Sequence, residues 1–168
     1  MRHPINVMRA LLGLGSLFIV TGCTNMPSTD ITVLHRATHC ASTEAQPSAT
    51  WVGDGDTLTA THARLTGQQL GARPPLPAVD FEQAGVLLLE MGQRPTGGYA
   101  VALAEPVIAV DDGIATVTVN WQEPAPGAIA TQALTSPCLL LEIPRGDYTS
   151  IRVVDQDGRL RLEIPVTP

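Results

Sequence analysis

The sequence VLLLEMGQRPTGGYAVAL, residues 86–103, decides the fold. It consists of two apolar runs on either side of a short polar segment. Within that segment Pro95 fixes its own φ, whereas Gly97 and Gly98 can adopt positive φ without steric cost. Tyr99 follows at the point where a second strand would begin. The stretch therefore predicts a buried strand, a loop of fixed shape and a return strand.

The remaining sequence also favours short strands. The chain has 168 residues, 44% of them hydrophobic, with 14 prolines and 15 glycines that interrupt it frequently. One helix is predicted over residues 56–70, with Asp56 as its N-cap and Leu58, His62, Leu65 and Gln69 on one face. Apolar or alternating runs at 86–91, 114–121, 138–143, 150–154 and 159–164 predict strands. In the last of these, Leu160, Leu162 and Ile164 are expected to point inward.

Together these elements predict a mainly β (α+β) fold: a small antiparallel sheet or sandwich with one short helix, forming a single domain over residues 31–168. The chain contains no lysine, and its calculated isoelectric point is about 5.0. An acidic, lysine-free chain lacks the positive charge that binds nucleic acid, so we expect no nucleic-acid partner.

Residues 1–22 have the features of a secretory signal peptide. Arg2 and Arg9 form a basic start, and an apolar run of eleven residues follows at positions 10–20. A helix that spans a bilayer takes about 20 residues, so this run is too short for one. A short membrane-buried helix is the alternative interpretation.

The tetrapeptide VTGC, residues 20–23, resembles the bacterial lipobox. That resemblance implies cleavage before Cys23, acylation of Cys23 and a lipid anchor, followed by a polar tether over residues 23–30. Several acyl chains, each worth about 0.8 kcal/mol per buried CH₂, would hold the protein on a membrane. Because Thr24 rather than Asp follows the cysteine, the resemblance also implies the periplasmic face of the outer membrane.

Cys40 and Cys138 remain once Cys23 carries lipid. An even pair of cysteines in an oxidising compartment predicts a disulfide between them. Two separate buried thiols are the alternative, since the sequence does not show that the side chains meet.

No convincing catalytic constellation is present, and we expect no enzyme activity, cofactor or metal. Glu82 and Glu90 could pair for acid–base chemistry, but nothing fixes their distance. His35, His39 and Cys40 lie close enough in sequence for a metal site, although Cys40 is better used in a disulfide. The acidic pairs in GDGD, residues 53–56, and DQDG, residues 155–158, resemble fragments of a calcium loop but are more typical of turns.

The candidate partner-binding loop comprises Arg94, Pro95, Thr96, Gly97, Gly98 and Tyr99. A loop with proline and paired glycines presents backbone N–H and C=O groups in a fixed shape, which suits docking on another protein. Arg94 would add a charged donor and Thr96 a hydroxyl. The alternative is a turn selected for its geometry alone.

Residues 80–144 resemble the PrcB C-terminal domain family. The matching features are Asp80-Phe81, Gly92, the PTGGY core at 95–99, and the TSP tripeptide at 135–137 before another apolar strand. Cys138 departs from the pattern, because the family often has an aromatic residue there. The resemblance implies a secreted or lipid-anchored accessory protein, and the namesake of the family is a non-catalytic lipoprotein that stabilises a surface protease complex. We therefore expect an envelope protein, such as a protease, as the partner.

The PTGGY loop is also similar to the NPTTGY loop of chagasin-like inhibitors of cysteine peptidases, which are β-sandwiches. Here the preceding Asn is missing, Gly97 replaces the second Thr, and no RPW loop occurs. Peptidase inhibition is therefore the alternative function.

Overall fold

The computed structural model describes residues 29–67 and 72–166. The signal peptide, Cys23 and most of the tether, whose roles were predicted above, lie outside the described residues. Within the described ranges, no helix combines the length and the apolar character needed to cross a membrane.

Nine strands and one helix make up the described part of the chain. In chain order they are β1 (Thr32–Ala37), β2 (Ser48–Val52), α1 (Gly55–Thr66), β3 (Ala84–Glu90), β4 (Ala100–Leu103), β5 (Ala109–Asp111), β6 (Ile114–Gln122), β7 (Cys138–Pro144), β8 (Ser150–Asp155) and β9 (Leu160–Pro165). The predicted mainly β fold with one short helix is confirmed.

The strands form two sheets. The first has the order β1-β7-β3-β2 and is antiparallel throughout. The second has the order β4-β6-β8-β9, and β5 also pairs with β6. Its β6–β8 pair is parallel, because the chain passes through β7 in the other sheet before it returns.

The core occupies two layers on the two faces of the first sheet. Leu87 and Leu89 of β3 point toward the second sheet, where they meet residues such as Val117 and Val119. Val86 and Leu88 point to the opposite face, which the helix covers. Every residue of β3 is buried, as its uninterrupted apolar run predicts.

The prediction that the strand after the loop returns to pair with β3 is wrong. Strand β3 is hydrogen-bonded to β2 on one side and to β7 on the other, so neither edge of it is free for β4. Strand β4 instead pairs with β6 in the second sheet. The loop at 92–99 is therefore a crossing between the two sheets rather than the end of a hairpin.

The N-cap of the helix lies two residues earlier than predicted. Asp54, rather than Asp56, is the N-cap, and its Oδ1 accepts a hydrogen bond of 2.8 Å from the N–H of Thr57. Leu58, His62 and Leu65 are buried as the helical spacing predicts. The helix ends at Thr66, and positions 68–70 of the prediction lie outside the described residues.

The predicted inward position of Leu160 is also wrong. A register shift between Val153 and Val154 places Leu160 opposite Val154 and leaves Leu160 56% exposed. Arg161 lies over the ring of Trp121 instead, 5.4 Å from its centroid. Leu162 and Ile164 pack against the core as predicted.

Candidate docking loop and its surroundings

The loop at 92–99 passes from the end of one sheet to the start of the other. Gly98 adopts a φ of +90°, so one of the two glycines predicted for positive φ has it. Gly97 serves a different purpose, since a Cβ at this position would overlap Oγ1 of Thr131. Gly97 therefore permits close approach of a second segment.

That second segment is the end of the connection between β6 and β7. The N–H of Arg94 donates to the carbonyl of Thr135 at 2.7 Å, and the N–H of Thr135 donates back at 2.9 Å. The N–H of Gly97 donates to the carbonyl of Thr131 at 2.9 Å, and Oγ1 of Thr135 donates to the carbonyl of Thr96 at 2.9 Å. These bonds make the two segments one unit.

Arg94 is turned back onto its own loop. Its Nη2 donates to the carbonyl of Met91, and its guanidinium carbon lies 5.5 Å from the ring centroid of Tyr99. Its buried Nε has no hydrogen-bond partner within the described residues. Pro95 and Gly98 are exposed, whereas Thr96 and Tyr99 are half-buried. Arg94 thus stabilises the loop from within.

The predicted disulfide between Cys40 and Cys138 is confirmed, and it belongs to the buried cluster between the first sheet and the helix. The N–H of Cys40 donates to the carbonyl of Ser136 at 3.0 Å, and the N–H of Ser136 donates to the carbonyl of Thr38 at 2.9 Å. The N–H of Gln93 donates to the carbonyl of Glu44 at 2.7 Å. The segment around Cys40 therefore supports both halves of the loop unit.

An ion pair joins the helix to the strand that leads into the loop. Both terminal nitrogens of Arg64 donate to the carboxylate of Glu90, each at 3.0 Å, and the Glu90 side chain is only 10% exposed. Glu82, its suggested acid–base partner, is exposed in the turn before β3. Glu90 is therefore held by an arginine rather than placed beside a second carboxylate.

The cysteines and histidines do not form the group of His35, His39 and Cys40 that was considered as a metal site from the sequence. Within the described residues, ligand atoms of His35, Cys40 and Cys138 lie within 4.8 Å of one another, whereas His39 is outside this group. The two sulfurs are bonded to each other. They are therefore not available as the thiolates that a metal ion would require.

The two acidic pairs serve local structure. Asp54 caps the helix, and backbone and side-chain hydrogen bonds from Thr57 lower the pKa of its carboxyl group. Asp155, 1% exposed, accepts hydrogen bonds of 2.9 Å from the N–H groups of Asp157 and Arg159, and Arg161 pairs with it. Burial acts to raise the pKa of Asp155, but these hydrogen bonds and the arginine outweigh it and lower the pKa.

The sequence reasoning missed the exposed connection between β6 and β7. Residues 124–137, PAPGAIATQALTSP, carry no charged side chain. Ile129 is fully exposed, and Leu134 is 63% exposed. The absence of charge over fourteen consecutive positions was a visible signal, because long connections without regular structure are usually functional or disordered.

Residues 86–144 match the family model described as PrcB C-terminal, which confirms the family resemblance over this segment. The matched segment runs from within β3 to the end of β7 and contains both halves of the loop unit. No curated protein and no solved structure matches the chain. The PTGGY and TSP motifs that carry the resemblance are joined by the hydrogen bond from Thr135 to Thr96, and Arg94, directly before PTGGY, makes two more with Thr135.

Proposed function

We propose that this protein is a non-catalytic accessory lipoprotein of the outer membrane that faces the periplasm and binds another envelope protein. Its binding surface would be the paired-loop surface, defined as residues 92–99 together with residues 124–135. The observation that carries the proposal is the hydrogen-bonded pairing of these two segments, which holds the segment 124–135, free of charged side chains, against the loop at 92–99.

The chemistry of the paired-loop surface suits protein association. Ile129 and Leu134 of one segment expose large aliphatic side chains, and Pro95 of the other segment is exposed as well. Contiguous exposed apolar residues are typical of interaction sites. The four hydrogen bonds between the segments, and the disulfide at Cys138 three residues after Thr135, restrain the segments and so reduce the conformational entropy that binding would otherwise cost.

The PrcB C-terminal match supports an accessory role, and it makes a protease of the cell envelope the first partner to test. The arrangement of Glu90, Asp155 and the cysteines is consistent with a non-catalytic role, because their polar groups are engaged in ion pairs, caps and a disulfide.

Site-specific crosslinking in the native envelope tests the binding surface. A photocrosslinking amino acid at position 129 should give a discrete crosslinked species, and Gly97→Val should abolish it by separating the two segments. The same crosslinker at position 110 is the matched control, since Val110 is exposed and pairs with Ala115, whereas the loop enters β4 beside Gln122 at the opposite end of β6. Equal crosslinking from both positions, or none from 129, would contradict the proposal.

The lipid anchor needs a separate experiment. Radiolabelled palmitate should enter the wild-type protein and not Cys23→Ala, and the wild type should fractionate with the outer membrane. If no palmitate enters the wild-type protein, the lipid anchor is ruled out, whereas the proposed binding surface is unaffected.

An inhibition assay separates the accessory role from peptidase inhibition. We expect papain to keep its activity when titrated with the purified protein. Stoichiometric inhibition that Thr96→Ala abolishes would instead favour the inhibitor.

A further inference from the structure

A cavity of about 320 Å³ lies where the edge of the first sheet meets the edge of the second. Its lining residues are Trp51, Arg145, Gly146, Tyr148, Thr149 and Val166. Trp51 belongs to β2, and Val166 follows β9, so the cavity is separate from the paired-loop surface. Small-molecule sites are typically concave, mainly apolar, and 300–1,000 Å³ or so in volume.

Two glycines make room for the aromatic side chains that line the cavity. A Cβ on Gly85 of β3 would overlap the six-membered ring of Trp51. A Cβ on Gly146 would lie 3.3 Å from Cε1 of Tyr148, tighter than an ordinary contact. The hydroxyl of Tyr148 donates to the carbonyl of Pro144 at 2.7 Å, which fixes this ring further. The walls are therefore formed before any ligand arrives.

Tyr148 stays neutral at ordinary pH. Burial raises the pKa of its phenol to about 12, although the nearby charge of Arg145 acts in the opposite direction. The only charge among the lining residues is consequently the guanidinium of Arg145.

Two backbone carbonyls of the turn before β3 position Arg145. Its N–H donates to the carbonyl of Gln83 at 2.8 Å, and its Nε donates to the carbonyl of Phe81 at 3.0 Å. Its two terminal nitrogens make no hydrogen bond or ion pair within residues 29–67 and 72–166. An arginine held in this way still has the paired donors that recognise a carboxylate.

The geometry points to a binding site for a small organic carboxylate. We infer that Arg145 binds the carboxylate while an aryl or short aliphatic body packs against Trp51 and Tyr148. Positive charge at one wall and aromatic surface at the others favour this ligand class over a cation, a sugar or a wholly apolar molecule.

A titration followed by NMR tests the inference, with 3-phenylpropionate as the probe and the uncharged 3-phenylpropanamide as its matched control. The indole N–H resonance of Trp51 should shift saturably with the acid. Because a hydrogen bond to a charged group is worth about 1.5–3 kcal/mol, the amide should bind roughly tenfold or more weakly. Arg145→Gln should remove this preference for the acid.

Arg73→Gln is the matched variant, because Arg73 is exposed and lies outside the cavity lining; it should bind like the wild type. Thr149→Trp fills the cavity from an exposed position and should abolish binding even if Arg145→Gln fails to fold. No saturable shift at Trp51, equal affinity for the acid and the amide, or unchanged binding by Thr149→Trp would overturn the inference.

Discussion

Gly85 shows how a single residue without a side chain positions a large one. It lies within β3, opposite Ile143 on one side, and the indole of Trp51 from β2 covers it. Any β-carbon at this position would occupy the volume of the indole ring. The residue is therefore required for packing, and in a strand it would otherwise be unfavourable.

The substitution Gly85→Ala should displace the Trp51 ring and lower the free energy of unfolding by about 1–3 kcal/mol, the usual cost of overpacking. Urea unfolding together with tryptophan fluorescence measures both effects. Gly55→Ala is the control, because a Cβ there meets no atom within 4 Å, and it should be neutral or slightly stabilising. Equal stabilities of the two variants would contradict this account.

At the residue scale, the sequence predicted which side chains are buried better than it predicted which way a side chain points. The buried face of the helix follows from the spacing of Leu58, His62 and Leu65, because a helix repeats every 3.6 residues. The inward turn of Arg94 could not be predicted, because it depends on the Met91 carbonyl and the Tyr99 ring meeting in space. A long side chain has many rotamers, and local sequence does not select among them.

The β8–β9 hairpin is the element that the sequence described most fully. Its turn, residues 155–158, was predicted from composition, and the structure adds the buried carboxylate of Asp155 at its centre. Two backbone N–H groups and Arg161 all donate to this carboxylate. The ionised form of Asp155 therefore organises the turn.

The substitution Asp155→Asn should destabilise the protein in a pH-dependent way. The folded state lowers the pKa of Asp155, so its ionised form stabilises the fold above the unfolded pKa of about 3.9. This contribution is lost as the pH falls through the lower, folded pKa. The stability difference from wild type should therefore be large near pH 7 and shrink below about pH 3.

Urea unfolding at both pH values measures the difference. Asp157→Asn, an exposed change in the same turn, should alter stability little at either pH. If the wild type remains more stable than Asp155→Asn by the same amount at low pH, the charge of the carboxylate is not the cause of the stability difference.

The loop after β3 illustrates where element-level prediction failed. A tight polar segment between two apolar runs is typical of a hairpin, and this one matches that description. The two strands that flank it nevertheless do not pair with each other, because β3 already has β2 and β7 beside it. Hydrogen-bonding partners that are distant in sequence decided the topology, and the local pattern carries no information about them.

At the scale of the whole molecule, the disulfide joins positions 98 residues apart. It connects the segment that follows β1 to the first residue of β7, within the buried cluster between the first sheet and the helix. Cross-linking such distant positions restricts the unfolded chain strongly. This pairing could be predicted from cysteine count and compartment, whereas its position in the cluster that the helix covers could not.

Replacing both cysteines, Cys40→Ala with Cys138→Ala, should lower the free energy of unfolding by roughly 4–5 kcal/mol, the loop-entropy value for about 100 residues. Urea unfolding of the oxidised protein and the double variant measures this. A reducing agent should weaken the wild type and leave the double variant unchanged. A loss below about 1 kcal/mol would contradict a stabilising role.

The pairing of β1 with β7 also has a consequence for biogenesis. Thr32 lies opposite Glu142, which is made 110 residues later (142 − 32), so the earliest strand has no neighbour while most of the chain is being synthesised. Such distant closure slows folding. Completion of the first sheet therefore waits until β7 has been synthesised, and a nascent chain arrested before β7 should carry Cys40 as a thiol, because its partner Cys138 is the first residue of β7.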